Sequence, residues 1–248
     1  MGSTHPQESP SKARVLADGM YRHAHWYVLA LFLLVFAGFF KTYFSKLGQT
    51  DLIRHIHAAT AIGWMTLLVV QSYAITHGKA SWHRAFAKLS FLLVPLLTIT
   101  GLFMIHIMLA RHPLQLASSW TLRAFADFFA LLYLVTQYTM GIVYRRDVRQ
   151  HQRFMLATVF ALFPPALGRV IGLDLALRLG PWNMTINHSV GFCIVAFLLI
   201  RDWRTERTVF FAYGLALAFF TLLLASVPIL LHNTVWYHFC RWYAGGPA

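Results

Sequence analysis

The sequence predicts an all-α protein, a polytopic membrane bundle of about seven transmembrane helices. Its 248 residues are 58% hydrophobic and only 12% charged, whereas soluble domains carry roughly 25% charged residues. Seven apolar stretches also approach the ~20 residues that a helix needs to cross the hydrocarbon core. Lys and Arg lie mainly in short clusters between these stretches. Together these observations favour an integral membrane protein over a soluble domain.

The expected spans follow one another along the chain. They are residues 26–44, 56–76, 85–109, 122–144, 154–171, 187–200 and 209–231. The sixth is the shortest. Pro164 and Pro165 lie in the fifth and remove backbone donors, so we expect that span to be bent or broken.

The remaining residues form two short polar ends. Residues 1–24 are rich in Ser, Pro and charge, which is typical of a disordered or interfacial tail. Residues 25–232 form the transmembrane domain, and residues 233–248 are expected to be a short extracytoplasmic tail. No small-residue cleavage site follows the first apolar run, so we expect an uncleaved span and not a signal peptide.

Charge in the connections predicts the orientation. With the N-terminus inside, 13 of the 21 Lys and Arg residues fall on the cytoplasmic side, as the positive-inside rule requires. This bias favours an N-in, C-out topology. The net charge of +13 is spread over these connections and does not form a single basic stripe. The expected partners are therefore anionic lipid headgroups and not nucleic acid.

Several ionisable residues lie at membrane depth, where they are costly and often mark function. In the predicted topology, five of them fall in the outer leaflet on five separate helices: His57, His106, Asp127, Arg169 and His188. His57, His106 and His188 are candidate metal or haem ligands. Asp127 is a further candidate metal ligand or the hydrogen-bond acceptor of a ligating histidine. Arg169 is expected to hold an anionic group such as a carboxylate or propionate. A structural ion pair between Asp127 and Arg169 is the alternative.

The residues around His57 have a helical spacing that separates it from its neighbour His55. At about 100° per residue, the two histidines point roughly 200° apart. His57, Trp64 and Gln71 are spaced by seven residues and share one face, which we expect to point into the bundle. His55 is expected to be interfacial.

Two histidines on the opposite side complete the polar set. His83 and His151 each lie near arginines at a helix start, at the expected inner interface. Basic helix ends that only satisfy the positive-inside rule are the alternative.

These residues carry a resemblance to a known group. Three groups of residues resemble the signatures of a broad family of uncharacterised bacterial multi-pass membrane proteins. They are His57, Trp64 and Gln71; the pair His83-Arg84; and Asp147, His151, Arg153 and Met155. The resemblance covers roughly residues 40–165 and implies a bacterial inner membrane location. Relatives often have glycine shortly after the His-Arg pair, where this chain has Ala85, Ala87 and Lys88. The family implies no activity.

The chain also has a looser similarity to membrane b-type cytochromes. In many of those, two histidines 13 or 14 residues apart on one helix ligate stacked haems. Here His57 has Gln71 at that distance, and glutamine is a poor haem ligand, so a two-haem chain is not expected. One haem b between His57 and either His106 or His188 fits the pattern.

The function expected from these residues is binding of haem or a transition metal (Zn, Cu or Fe), with a redox or cofactor-handling role. Three alternatives stay open. One is a non-catalytic small-molecule or proton carrier with a polar cavity. Another is a structural or assembly protein that uses its polar residues to join helices. The last is a zinc hydrolase with Asp127 as base, although no HExxH motif occurs.

Overall fold

The computed structural model describes residues 20–174 and 182–246. This part of the chain is helical and contains no strand. Its α-helices are α1 Ala24–Phe40, α2 Leu52–Thr76, α3 Ala80–Ala87, α4 Ser90–Ala110, α5 Ser119–Val143, α6 Val148–Ala157, α7 Phe163–Arg169, α8 Trp182–Glu206, α9 Phe211–Leu230 and α10 Thr234–Tyr243. Residues 1–19, most of the predicted N-terminal tail, lie outside the described residues.

The prediction of a seven-span helix bundle is confirmed. Seven helical segments of the described residues are long and apolar enough to cross a membrane. They are Tyr21–Phe40, Leu52–Thr76, Ser90–Ala110, Ser119–Val143, Val148–Gly172, Trp182–Glu206 and Phe211–Leu230. The sixth was expected to be the shortest, but it has 25 residues. It extends past its predicted bounds of 187–200, and the polar Asp202 in this extension is buried inside the bundle.

The fifth span is broken, as the prolines predict. It consists of α6, the 3-10 turn Thr158–Ala161 and then α7. Pro164 and Pro165 lie in the first turn of α7, where a helix leaves its N–H groups unbonded in any case. The break therefore costs few hydrogen bonds.

Residues before the third span form a helix of their own. Helix α3 has no buried residue, and its Trp82 side chain is 56% exposed. A short turn separates it from α4. The third span consequently begins at Ser90 and not at residue 85, because the polar residues from Ser81 to Lys88 form a separate amphipathic helix.

The bundle packs around Trp64 of α2. Its side chain is 1% exposed, and the indole Nε1 donates to Thr158 Oγ1 at 3.2 Å. Gly38 of α1 allows a close helix crossing, since a Cβ at this position would lie 2.4 Å from the carbonyl oxygen of Ala166 in α7. These two contacts bring the 3-10 turn and α7 of the broken span into the core.

The two ends of the bundle differ. We call the end that contains the connections 41–51, 111–118 and 231–233 the cavity end. The end that contains the connections 77–79, 144–147 and 207–210 is the basic end. The chain enters the first span at the basic end and leaves the seventh at the cavity end, because the number of spans is odd.

Helix α10 folds back over the cavity end. Asn233 caps its N-terminus by accepting from the backbone N–H of Trp236 at 2.8 Å. The Trp236 indole donates to Thr121 O of α5 at 2.9 Å, and the Tyr243 hydroxyl donates to Leu102 O of α4 at 3.1 Å. Cys240 of this helix is fully buried. The segment expected to be a short tail is thus largely an amphipathic helix docked on the bundle.

The basic end holds an ion-pair network with a fully buried centre. Arg153 and Asp202 have side chains with 0% exposure, and Arg153 Nε donates to Asp202 Oδ2 at 2.5 Å. Arg153 Nη2 also pairs with Glu206, and the Tyr21 hydroxyl donates to Asp202 at 2.7 Å. The guanidinium carbon lies 3.5 Å from the ring centroid of Phe210. Each charge of this network has a partner, which is how a protein interior tolerates charge.

Candidate functional site: an amphipathic cavity

A large cavity opens inside the cavity end, with a volume of about 1140 Å³. This volume slightly exceeds the range of roughly 300–1,000 Å³ for small-molecule sites. Its walls are mostly apolar and include Phe39, Met65, Leu97 and Phe220. The polar residues in its lining include His57, Arg123, Asp127, Arg169, Asn183, Asn187 and His188. Four of the five residues predicted to share a depth therefore line one space.

His57 presents an unprotonated nitrogen in this cavity. The Thr100 hydroxyl donates its single hydrogen to Leu96 O at 2.8 Å. Thr100 Oγ1 also lies 3.1 Å from His57 Nδ1, and it accepts from Nδ1 when the Thr100 hydrogen is directed to Leu96 O. With Nδ1 as the donor, the neutral ring carries its lone pair on Nε2. In that arrangement His57 has the tautomer of a metal-binding or hydrogen-bond-accepting histidine.

His188 is held in the same way by its own helix. Its side chain is 7% exposed, and Nδ1 lies 2.8 Å from Met184 O. A carbonyl oxygen can only accept, so Nδ1 carries the hydrogen and Nε2 carries the lone pair. Two histidines from different helices, α2 and α8, consequently line the cavity with Nε2 free to bind.

Asp127 and Arg169 both line the cavity but do not form an ion pair. Among the described residues, the Asp127 carboxylate makes no hydrogen bond or ion pair, although Arg169 and Arg123 lie close enough to interact with it electrostatically. Arg169 donates to Pro165 O at 2.9 Å, and its guanidinium carbon lies 4.1 Å from the ring centroid of Phe39. The ion pair considered from the sequence is absent, because Arg169 is held by its own helix and by α1.

Two asparagines complete the wall between α7 and α8. Asn183 Nδ2 donates to Gly168 O at 3.1 Å, and Asn187 Nδ2 donates to Asn183 Oδ1 at 3.1 Å. Asn187 is 6% exposed, and its Oδ1 has no partner within the described residues. Buried side-chain oxygens are normally hydrogen-bonded. Sequence reasoning missed both residues, although their spacing of four places them on the same face of α8 next to His188.

Gly168 makes this arrangement possible. A Cβ at this position would lie 2.5 Å from Asn187 Nδ2 and 3.0 Å from Asn183 Oδ1. Only glycine allows the asparagines to approach α7 so closely. The polar wall of the cavity thus depends on a residue without a side chain.

His106 lies outside the cavity, which corrects its predicted place beside His57 and His188. Its Nδ1 donates to Tyr243 O at 2.6 Å, and its ring packs edge-on against the Tyr243 ring. The reason is helix α10, whose C-terminal carbonyl provides an acceptor on the opposite face of α4. Within residues 20–174 and 182–246, no group of three or more His, Cys, Asp or Glu side chains is arranged to hold a metal ion. A three-histidine centre therefore does not form there.

The mouth of the cavity is cationic. Asp51 caps α2 and pairs with Arg54 at 3.7 Å and with Arg111 at 3.4 Å. Both arginines line the cavity, and so does His112, which stacks on Trp120 with 3.5 Å between ring centroids. One carboxylate shared between two arginines leaves a positive charge at the entrance, which favours an anionic ligand.

The other polar residues that the sequence singled out do not line the cavity. His55 lies on a different face from His57 and contacts the Tyr43 hydroxyl at 2.9 Å through Nδ1. Gln71 Nε2 donates to the backbone oxygen of His83 at 3.1 Å, at the basic end. Burial lowers the pKa of His83, and the charges of His151 and Arg84 add to this effect. His83 therefore remains neutral to lower pH than an ordinary histidine.

Comparison with known proteins gives no relative from which a function could be transferred. No family model matches the chain. No curated protein matches it, and no solved structure does. The functional argument therefore depends on the geometry of the chain itself.

Proposed function

We propose that this multi-pass membrane protein binds one haem b in its amphipathic cavity, with a redox or cofactor-handling role. The observation that carries the proposal is the pair of histidines, His57 and His188, that line one apolar cavity with unprotonated Nε2 atoms. Neutral imidazoles on separate helices are the usual axial ligands of haem in membrane proteins, and bis-imidazole ligation needs only two of them.

The rest of the lining suits the same ligand. A haem has a flat apolar body and two anionic propionates. Apolar and aromatic walls would hold the macrocycle, while Arg169 and Arg123 would bind the propionates through charge-assisted hydrogen bonds. The free Oδ1 of Asn187 is an acceptor without a partner in the same wall. When bound, haem would supply one-electron chemistry, and these residues would set its position and its electrostatic surroundings.

A hemin titration of the purified protein in detergent tests the proposal. We expect a Soret band and one haem per chain at saturation. His57→Ala and His188→Ala should each weaken binding at least tenfold, because each removes one axial ligand. His106→Ala is the matched control, since His106 lies outside the cavity, and it should bind hemin like the wild type. A wild-type protein that binds no more hemin than the two variants would exclude His57 and His188 as haem ligands and overturn the proposal.

A second candidate is a carrier for a small anion or for protons. The observation that favours it is the break in the fifth span, which places Arg169 at the cavity opposite the unpartnered Asp127. Broken helices at a polar cavity are typical of transporters. Proteoliposome uptake separates the two candidates, because a carrier moves its substrate across the bilayer with no haem present, whereas a haem protein does not.

The charge bias of the connections leads us to propose in addition that the cavity end faces away from the cytoplasm of a bacterial inner membrane. A reporter fused after Ala248 should then be active on the outside only. Activity of the fusion in the cytoplasm would reverse this orientation and leave the cavity argument unchanged.

A further inference from the structure

The basic end contains a second group of polar side chains that has no role in the cavity. Three helices contribute to it: Gln71 of α2, His83 of α3 and His151 of α6. The rings of His83 and His151 have centroids 6.3 Å apart and are nearly perpendicular, at 80°. The Gln71 amide lies beside His83, since its Nε2 donates to the His83 backbone oxygen at 3.1 Å. Residues far apart in the sequence thus form one cluster.

The cluster has several donor atoms without partners. His151 Nδ1 donates to Gly141 O at 2.7 Å, which leaves the lone pair on Nε2. His83 Nδ1 and Gln71 Oε1 are both buried and have no hydrogen-bond partner within the described residues. Buried polar atoms rarely lack partners in folded proteins. Two such atoms beside a free imidazole nitrogen indicate a place for a further ligand.

We propose that His83 and His151, with Gln71 Oε1 as a third donor, bind a single divalent transition-metal ion at the basic end. Imidazole is a preferred ligand of zinc, copper and nickel ions. Two metal–nitrogen bonds of about 2 Å each bring two imidazole nitrogens within roughly 4 Å of each other, and ring centroids 6.3 Å apart are compatible with that spacing.

This donor set predicts an open site and not a closed structural one. A structural zinc site usually has four protein ligands, whereas an open site keeps positions for water or substrate. The nearby Arg84 side chain is exposed, so solvent and salt screen its charge from the ion. The site lies outside the cavity and is independent of haem binding.

Zinc binding to the full-length protein in detergent tests the proposal, with the affinity measured by competition against a chromophoric chelator. We expect one tight ion per chain. His83→Gln and His151→Gln should each weaken its binding at least tenfold, and the double variant should bind at least as weakly as either single variant, because both histidines hold the same ion.

The matched control is His77→Gln. His77 also lies at the basic end and has its ring centroid 6.2 Å from that of His25, but its ring is stacked on Tyr73. We expect this variant to bind zinc like the wild type. Loss of the ion in His77→Gln and not in His83→Gln would overturn the proposal, and so would a wild type that binds no tighter than the double variant.

A measurement on the wild type avoids variants that fail to fold. Diethyl pyrocarbonate modifies free imidazoles, and mass spectrometry of the peptides locates each modified residue. Zinc should protect His83 and His151 at least fivefold and leave His55 unprotected. Equal modification of His83 and His151 with and without zinc would contradict the proposed site.

Discussion

The cavity end and the buried network of the basic end both place charged residues at membrane depth, but they treat them in opposite ways. Arg153 pairs with both Asp202 and Glu206, and the side chains of Arg153 and Asp202 are fully buried. Asp127 and Arg169 both line a cavity and form no ion pair with each other, and His57 and His188 keep one nitrogen unbonded there. A charge at membrane depth therefore does not by itself indicate function. The presence or absence of a protein partner separates a structural charge from a site that can bind a ligand.

The largest effect is expected from breaking the paired network. Arg153→Met leaves the fully buried Asp202 with only the partly exposed Arg201 as a cation, and losing one partner of a buried ion pair costs about 3–5 kcal/mol. We expect the variant to be largely unfolded or aggregated in fluorescence-detected size-exclusion chromatography. A monodisperse variant with wild-type thermal stability would show that the network is not structural.

Gly168→Ala should disturb the cavity wall and leave the fold largely intact. The added Cβ would lie 2.5 Å from Asn187 Nδ2, and such overpacking costs about 1–3 kcal/mol. We expect weaker hemin binding, by at least tenfold, with a moderate fall in thermal stability. Gly214→Ala is the matched control, because a Cβ there meets no atom within 4 Å. Equal hemin affinity in both variants would show that Asn183 and Asn187 do not contribute to hemin binding.

Asp127→Asn tests the claim that the charge of Asp127 has no structural role in the cavity end. Because Asp127 has no hydrogen bond or ion pair to lose among the described residues, we expect a change in stability below about 1 kcal/mol. Hemin should bind equally well or a fewfold more tightly, since a negative charge near the propionates is removed. Asp202→Asn is the contrast and should destabilise the protein strongly. Similar destabilisation by both substitutions would contradict the distinction drawn between the two ends.

The smallest effect concerns helix α10. Burial raises the pKa of the Cys240 thiol to about 12, so in the folded protein it is protonated and inaccessible at pH 8. His106→Ala removes the hydrogen bond to Tyr243 O and should loosen α10, which increases maleimide labelling of Cys240 a fewfold. His55→Ala should leave the labelling unchanged. Rapid labelling of Cys240 in the wild type would show that α10 is not docked.

The sequence predicted the fold well, because a chain that crosses the hydrocarbon core must form apolar helices of about 20 residues. The number of spans and the break in the fifth follow from apolar length and from Pro164 and Pro165, which act locally. The inward face of His57, Trp64 and Gln71 follows from helical spacing alone. These features need no knowledge of which helices are neighbours.

The features that could not be predicted depend on contacts between distant segments. His106 has the same predicted depth as His57, and only the docking of α10 shows that it faces another partner. Arg153 directly precedes the predicted fifth span, and its pairing with Asp202 requires α6 and α8 to be neighbours. The role of Asn187 depends on the close approach that Gly168 allows. Depth can be inferred from a sequence, but the direction of each side chain around the bundle requires the tertiary structure.

The most direct test of the central claim is the haem content of protein purified from cells supplied with a haem precursor, measured per chain by the pyridine haemochrome method. We predict close to one haem b in the wild type and in His106→Ala, and less than one tenth of that in the His57→Ala/His188→Ala double variant. A wild-type protein that folds normally and contains no haem, both as purified and after hemin addition, would contradict the claim.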